Sequence, residues 1–219
     1  MTGSLTNLWR LFAIARVLAR HDALFPLEDL GVAPAVARAA RLLSKRSVPG
    51  RPGQRLAAAL NEAGPSFIKL GQALSTRPDL LGEEITQDLA LLQDDLPPFS
   101  FEAARTAVEQ EFQVPLETLF SAFDPEPVAA ASIAQVHFAE TTEGEKVAVK
   151  ILRPGIEGRF RRDLDLFRWA ARVLERARPD LKRLKPREAV ETVAQSVELE
   201  MDLRFEAAAA AEMADNFEG

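Results

Sequence analysis

Hydrophobic and polar positions repeat along this chain with two different periods, and the change falls near residue 126. In 4–20, SLTNLWRLFAIARVLAR, the apolar Leu8, Leu11, Phe12, Ile14, Ala15 and Leu18 share a broad arc at the helical period. Arg10, Arg16 and Arg20 flank the opposite side, so an amphipathic helix is predicted. A second helix is predicted over 34–46, rich in Ala and Arg, before the loop SVPGRPGQ with its two Pro and two Gly. Helices follow over 54–62, 65–76 and 82–93, and DDLPPFS at 94–100 breaks the run. Ser100 is a good N-cap for a helix over 101–112, and a short helix starts near Pro115.

From Val128 to Leu152 the period is two. Val136 and Phe138 alternate with Gln135 and His137, and Val147, Val149 and Ile151 alternate with Ala148, Lys150 and Leu152. TTEGEK supplies the turn between two strands. The helical period returns over 156–177, stops at Pro179 and resumes from Pro186 to Asn216. A small sheet with a long helix after a helical half is an α+β arrangement.

Composition narrows the chemistry. The chain has no cysteine and only two histidines, which excludes disulfides and thiolate metal sites and disfavours a histidine metal cluster. No apolar run reaches the ~18 residues of a transmembrane helix, and the arginines in the apolar N-terminus do not fit a signal peptide. Residues 1–55 hold nine Lys/Arg against three Asp/Glu, a charge of +6; the remaining 18 against 30 give −12. An acidic body argues against a nucleic-acid surface. The basic N-terminal arm suits either packing on its own domain with arginines in water or peripheral contact with an anionic membrane.

Three features carry candidate chemistry. Lys150 lies within VAVK, a strand of the kind that presents a lysine to nucleotide phosphates, although a lone strand lysine is more often a solvated edge residue. Upstream, Ala129, Ala131, Ala134 and Val136 occupy the spacing of the glycine-rich phosphate loop G-x-G-x-x-G-x-V, with alanine at every glycine. Glu198, Asp202 and Glu206, four apart, form an acidic stripe that could meet cations or merely face water. In GPSFIKLGQALSTRPDLL, Lys69, Gln72 and Thr76 project from one helix face. Gly71 costs that helix up to ~1 kcal/mol against alanine, a cost explained if a backbone or ligand comes close there. His21 and His137 read as structural, with His137 alternating out of its strand beside the loop. Trp9 and Trp169 read as core or interface residues.

KLGQ (69–72) with STRPDLL, AAASIAQVH (129–137), VAVK (147–150) and ELEMDLRFEAA (198–208), in this order, resemble the UbiB/ADCK atypical kinase-like family. The resemblance implies a helical extension over 1–125 and part of a kinase-like N-lobe over 126–219, with a small antiparallel sheet and an αC-type helix. It implies that Ala129, Ala130, Ala131, Ser132, Ala134 and Val136 form an alanine-rich loop over the nucleotide, with Lys150 gripping phosphate and Glu206 as its partner. Lys69 and Gln72 become the K-x-G-Q pair, and Glu200 and Asp202 an E-x-D pair expected near Lys69 as a regulatory latch. Residues two apart point about 200° apart on a straight helix, so the helix is expected to bend or to begin nearby, or one carboxylate to act differently.

The same resemblance implies ATP and Mg2+ as cofactors, with metal ligands in a catalytic lobe that this sequence lacks; it has neither D-F-G nor an H-x-D catalytic loop. The chain is therefore read as a truncated member. For the family it implies ATP binding and hydrolysis in support of ubiquinone biosynthesis, peripherally on the cytoplasmic side of the inner membrane, with quinone-synthesis proteins or lipid precursors as partners. The alternative is a non-enzymatic helical scaffold for a membrane or a quinone-synthesis complex.

Overall fold

A computed structural model describes residues 2–29, 34–42, 48–92 and 96–217. In chain order they form helices α1 (Thr2–Arg20), α2 (Phe25–Asp29), α3 (Pro34–Arg41), α4 (Pro52–Ala63), α5 (Pro65–Ser75), α6 (Pro78–Leu81), α7 (Glu83–Ala90), α8 (Phe101–Phe112) and α9 (Leu116–Leu119). Strands β1 (Phe120–Phe123), β2 (Ala129–Ala130), β3 (Ala134–Thr141) and β4 (Lys146–Leu152) follow, and then α10 (Ile156–Ala177), a 3-10 turn over Pro179–Leu184, α11 (Pro186–Met201) and α12 (Leu203–Phe217). The α+β arrangement is as the hydropathy pattern predicts. The last residues of the expected second helix, 43–46, lie outside the described residues, as does the side chain of Leu8.

The chain divides into two compact units, Met1–Gln93 with Arg159–Ser196, and Asp94–Gly158 with Val197–Gly219. The division therefore does not follow the change of period near residue 126. The reason lies in side-chain contacts on either side of it. In the first unit α10 packs on α5 through Phe67 and Phe167, edge to face at 5.1 Å between centroids, a pairing worth about 1 kcal/mol beyond area burial. In the second, residues 99–119 cover the sheet: Ala104, Val108, Leu116 and Ile151 are buried together, with Phe99, Phe101, Leu119, Phe120, Phe123 and Val149 around them.

The first unit buries charge in pairs. Asp163 on α10 is 8% exposed and accepts hydrogen bonds from Ser66 Oγ at 2.7 Å and from the Arg10 guanidinium. Asp88 on α7 is 2% exposed and is held by Arg51, just before α4. Arg20 and His21 both meet Glu62, so two of the three arginines expected to flank α1 in water are instead engaged in ion pairs. Of the two roles expected for Trp9, core or interface, the core one is not observed: it leans on Phe12 and is 71% exposed. Gly71 also has a different neighbour from the expected backbone or ligand. A Cβ there would stand 2.7 Å from the Cδ1 atoms of Leu60 and Leu92, so glycine lets α5 approach two core leucines.

In the second unit β3 is the central strand. It pairs antiparallel with β1 and β2 on one side and with β4 on the other. The β3–β4 turn is closed by Gly144 at φ +89° and by Thr141, whose hydroxyl accepts the Glu145 N–H. The strand's facing is the reverse of its hydropathy. Gln135 and His137 are 1% and 0% exposed, whereas Phe138 is 55% exposed. The expectation that His137 alternates outward is thereby corrected. A closed polar chain makes this affordable: His137 Nδ1–H donates to the Asp124 carbonyl at 2.8 Å and Nε2 accepts from the Gln135 amide at 2.8 Å. Gln135 Oε1 in turn accepts the Phe99 N–H at 2.9 Å.

Candidate functional site

Residues directly opposite in an antiparallel pair share a sheet face. Val136 opposes Lys150 and Phe138 opposes Ala148, while Ala129 opposes Val136 across the other edge. These five residues therefore line one face of the sheet, the one that α8 does not cover. Val136 is half-buried there, and Ala129, Phe138, Ala148 and Lys150 are exposed. Around Lys150 the face is apolar, with the Glu140–Lys146 pair at its far end. Lys150 Nζ donates to Glu206 Oε2 at 2.5 Å, with side-chain exposures of 35% and 60%. A pair this open adds about 1 kcal/mol or less to stability; its effect is to hold a flexible lysine in one direction.

Glu206 is in place because α12 starts where it does. Asp202 lies between α11 and α12, and its Oδ1 accepts the Arg204 N–H at 3.2 Å while its carboxylate is gripped by the Arg204 guanidinium at 2.7 and 2.6 Å. The bond from Arg204 holds the Asp202 carboxyl below the usual carboxylate range. An aspartate that captures following amides favours a helix start over a helix interior. The expected break near the E-x-D pair is thus observed, and Glu198, Asp202 and Glu206 do not form one continuous stripe. Glu200 is exposed in the last turn of α11.

The alanine-rich loop is a tight turn. Val128 N–H donates to Val136 O and Ala131 N–H donates to Ala134 O, both at 2.8 Å. Ala129 and Ala130 form β2, and Ala134 opens β3 and is 1% exposed. Ser132 at the tip is fully buried, and its hydroxyl has no hydrogen-bond partner among the described residues. Beside the turn stands Arg153, a residue that the sequence reading did not single out. The only signal was its place, three positions beyond VAVK and just before Pro154-Gly155. The reading also did not single out Phe138 and Ala148 as neighbours of Lys150, because strand pairing alone reveals them.

Lys69 and Gln72 lie on α5 in the first unit, and both are half-buried. Gln72 Nε2 donates to the Leu92 carbonyl at 3.4 Å. Thr76 ends α5, its hydroxyl turned back on the Ala73 carbonyl at 2.8 Å, so it does not extend the Lys69 face along a helix. Downstream, Arg77 holds Asp79 through two bonds of 2.8 and 2.7 Å. Among the described residues, no three of His, Asp or Glu are grouped to hold a metal ion, and no helix is long and apolar enough to cross a membrane.

Comparison with known proteins places this geometry. The model of the ABC1 atypical kinase-like domain matches residues 91–219. A protein of Marinobacter nauticus described as a probable protein kinase UbiB is 43% identical over 220 residues, which cover 98% of this chain and 40% of that protein. Counterparts of the same description from Vibrio vulnificus and Pseudomonas putida are 44% and 42% identical over 216 residues, covering 97% and 96% of this chain. A solved structure, the complex of Rv3197 with erythromycin from Mycobacterium tuberculosis, is 29% identical, covers 87% of this chain and 45% of its own, and superposes with a TM-score of 0.47. The chain spans about 40% of the length of the curated relatives it matches. With its four-stranded antiparallel sheet and following helices read as part of a kinase-like N-lobe, this chain belongs to the ABC1 atypical kinase-like family, alongside the UbiB proteins.

Proposed function

We propose that this chain is the nucleotide-binding part of an atypical kinase-like ATPase that serves isoprenoid-quinone, specifically ubiquinone, biosynthesis. The observation that carries the reading is the Lys150–Glu206 pair beside the apolar Val136, Phe138 and Ala148 of one sheet face. Val136, Phe138 and Ala148 offer a surface for a purine, and the oriented ammonium beside them offers a counter-charge for phosphate. In kinases the same Lys–Glu pair must be in place for phosphoryl transfer. The residues fit a nucleotide but offer no cage for a metal among those described, so Mg2+ would arrive on the phosphates. When bound, the ion would screen their charge; the chain itself binds and orients.

The names of the UbiB relatives support the quinone-synthesis setting, and the basic N-terminal arm supports a peripheral site on the cytoplasmic face of the inner membrane with lipid precursors or quinone-synthesis proteins as partners. Replacement of glycine by alanine in the phosphate loop favours a held nucleotide over rapid transfer to protein substrates.

Titration calorimetry with Mg-ATP tests the proposal. The wild-type chain is expected to bind saturably, Lys150→Ala to lose at least tenfold in affinity, and Glu206→Gln to fall between them. A non-enzymatic scaffold would show no saturable heat with any of the three.

A further inference from the structure

The phosphate loop of a kinase is ordinarily a flexible flap, but here one side chain reaches across to tie it down. Arg153 Nε and Nη2 donate to the Ala131 carbonyl at 3.1 and 2.9 Å. The same Nη2 donates to the carbonyls of Pro97 at 2.9 Å and Leu96 at 3.3 Å. Its guanidinium lies 5.6 Å from the centroid of the Phe99 ring. Its backbone N–H donates to the Ile133 carbonyl at 2.8 Å. Two carbonyls of the alanine-rich turn are thus held by one residue, and the same side chain anchors them to the segment leading into α8.

We propose that Arg153 is a positioning residue that locks the alanine-rich loop in a single conformation and thereby sets the affinity of the site for nucleotide. The arrangement follows from the chemistry of the groups involved. Alanine narrows the backbone freedom that glycine would leave open, and a planar guanidinium can span three carbonyls from a fixed position, which an ammonium cannot. Charge-assisted bonds to carbonyls are stronger than neutral ones. Alanine in the loop and arginine beneath it therefore act in the same sense: each removes mobility from the flap. Ser132 is carried inward as part of the locked turn, which accounts for its burial without a partner.

The second half of this proposal rests on the nucleotide reading above, and the first half does not. Amide hydrogen exchange on the nucleotide-free chain tests the first. Arg153→Ala is expected to raise exchange over 129–134 at least tenfold while the β3–β4 ladder amides around His137 and Val149 stay protected. Arg153→Lys should give an intermediate increase. Unchanged loop exchange in Arg153→Ala overturns the lock. If the β3–β4 ladder also opens in Arg153→Ala, the comparison passes to Arg153→Lys, and no selective loop increase there overturns the lock as well.

Mg-ATP titration of the same proteins tests the second half. A change in Kd of at least fivefold for Arg153→Ala is expected. Wild-type affinity with a released loop overturns the positioning role. If the wild-type chain binds no Mg-ATP, it is the nucleotide reading that fails, and the lock stands or falls on the exchange data.

Discussion

The two compact units place their charges in opposite ways. The helical unit buries carboxylates and pairs them, Asp88 with Arg51 and Asp163 with Arg10. The sheet unit buries neutral polar groups, Gln135 and His137, and leaves its Lys150–Glu206 pair in the open. Such pairs fasten helices, because removing the arginine strands a carboxylate in low dielectric. An exposed pair adds little to stability and leaves its charges within reach of solvent. Such a contrast is what the proposed division between a scaffold and a nucleotide site requires.

The largest effect is expected on the interior of the sheet. His137→Ala removes a buried ring and leaves the Asp124 carbonyl and the Gln135 amide without partners, a loss of about 3 kcal/mol in denaturant unfolding. A loss below about 1 kcal/mol would mean that the polar chain is incidental and the contrast false. In the helical unit, Gly53→Ala is expected to cost about 1–2 kcal/mol by overpacking. Its Cβ would meet Asp88 Cβ at 2.6 Å, and Asp88 is tied to Arg51. A neutral result in thermal unfolding would show that this ion pair can shift freely.

On the outer face, Lys150→Ala should change stability by about 1 kcal/mol or less while removing ligand affinity, the converse of His137→Ala. The smallest effect concerns the start of α12. Asp202 is held in its charged form by Arg204, so its folded value is depressed. Its contribution is therefore present above the ordinary carboxylate range and is lost as pH falls through the depressed value. Exchange of the Arg204 amide followed on acidification should show that loss in the wild type. Asp202→Asn keeps a capping oxygen and should flatten the pH dependence.

Much of this was legible in the sequence for local reasons. The Ser100 cap accepts the Ala103 N–H at 3.3 Å as its type and place predict, and the VAVK strand and the alanine turn follow from side-chain period and spacing. The break at Asp202 could be inferred because two carboxylates two apart cannot share a helix face. Less local features were not legible. Hydropathy would place Phe138 inside and His137 outside, and only the partners Asp124, Gln135 and Phe99 reverse that. Nor could the sequence show that Gly71 makes room for Leu60 and Leu92.

The order of motifs by itself determined the family and the kind of fold, since helix period, strand period and turn chemistry are properties of neighbouring residues. Tertiary structure alone decided which face of the sheet α8 covers, which carboxylate meets Lys150, and that Arg153 reaches the loop. Those outcomes depend on residues 22 to 57 positions apart coming within hydrogen-bond reach, and no local pattern encodes a distance of that kind.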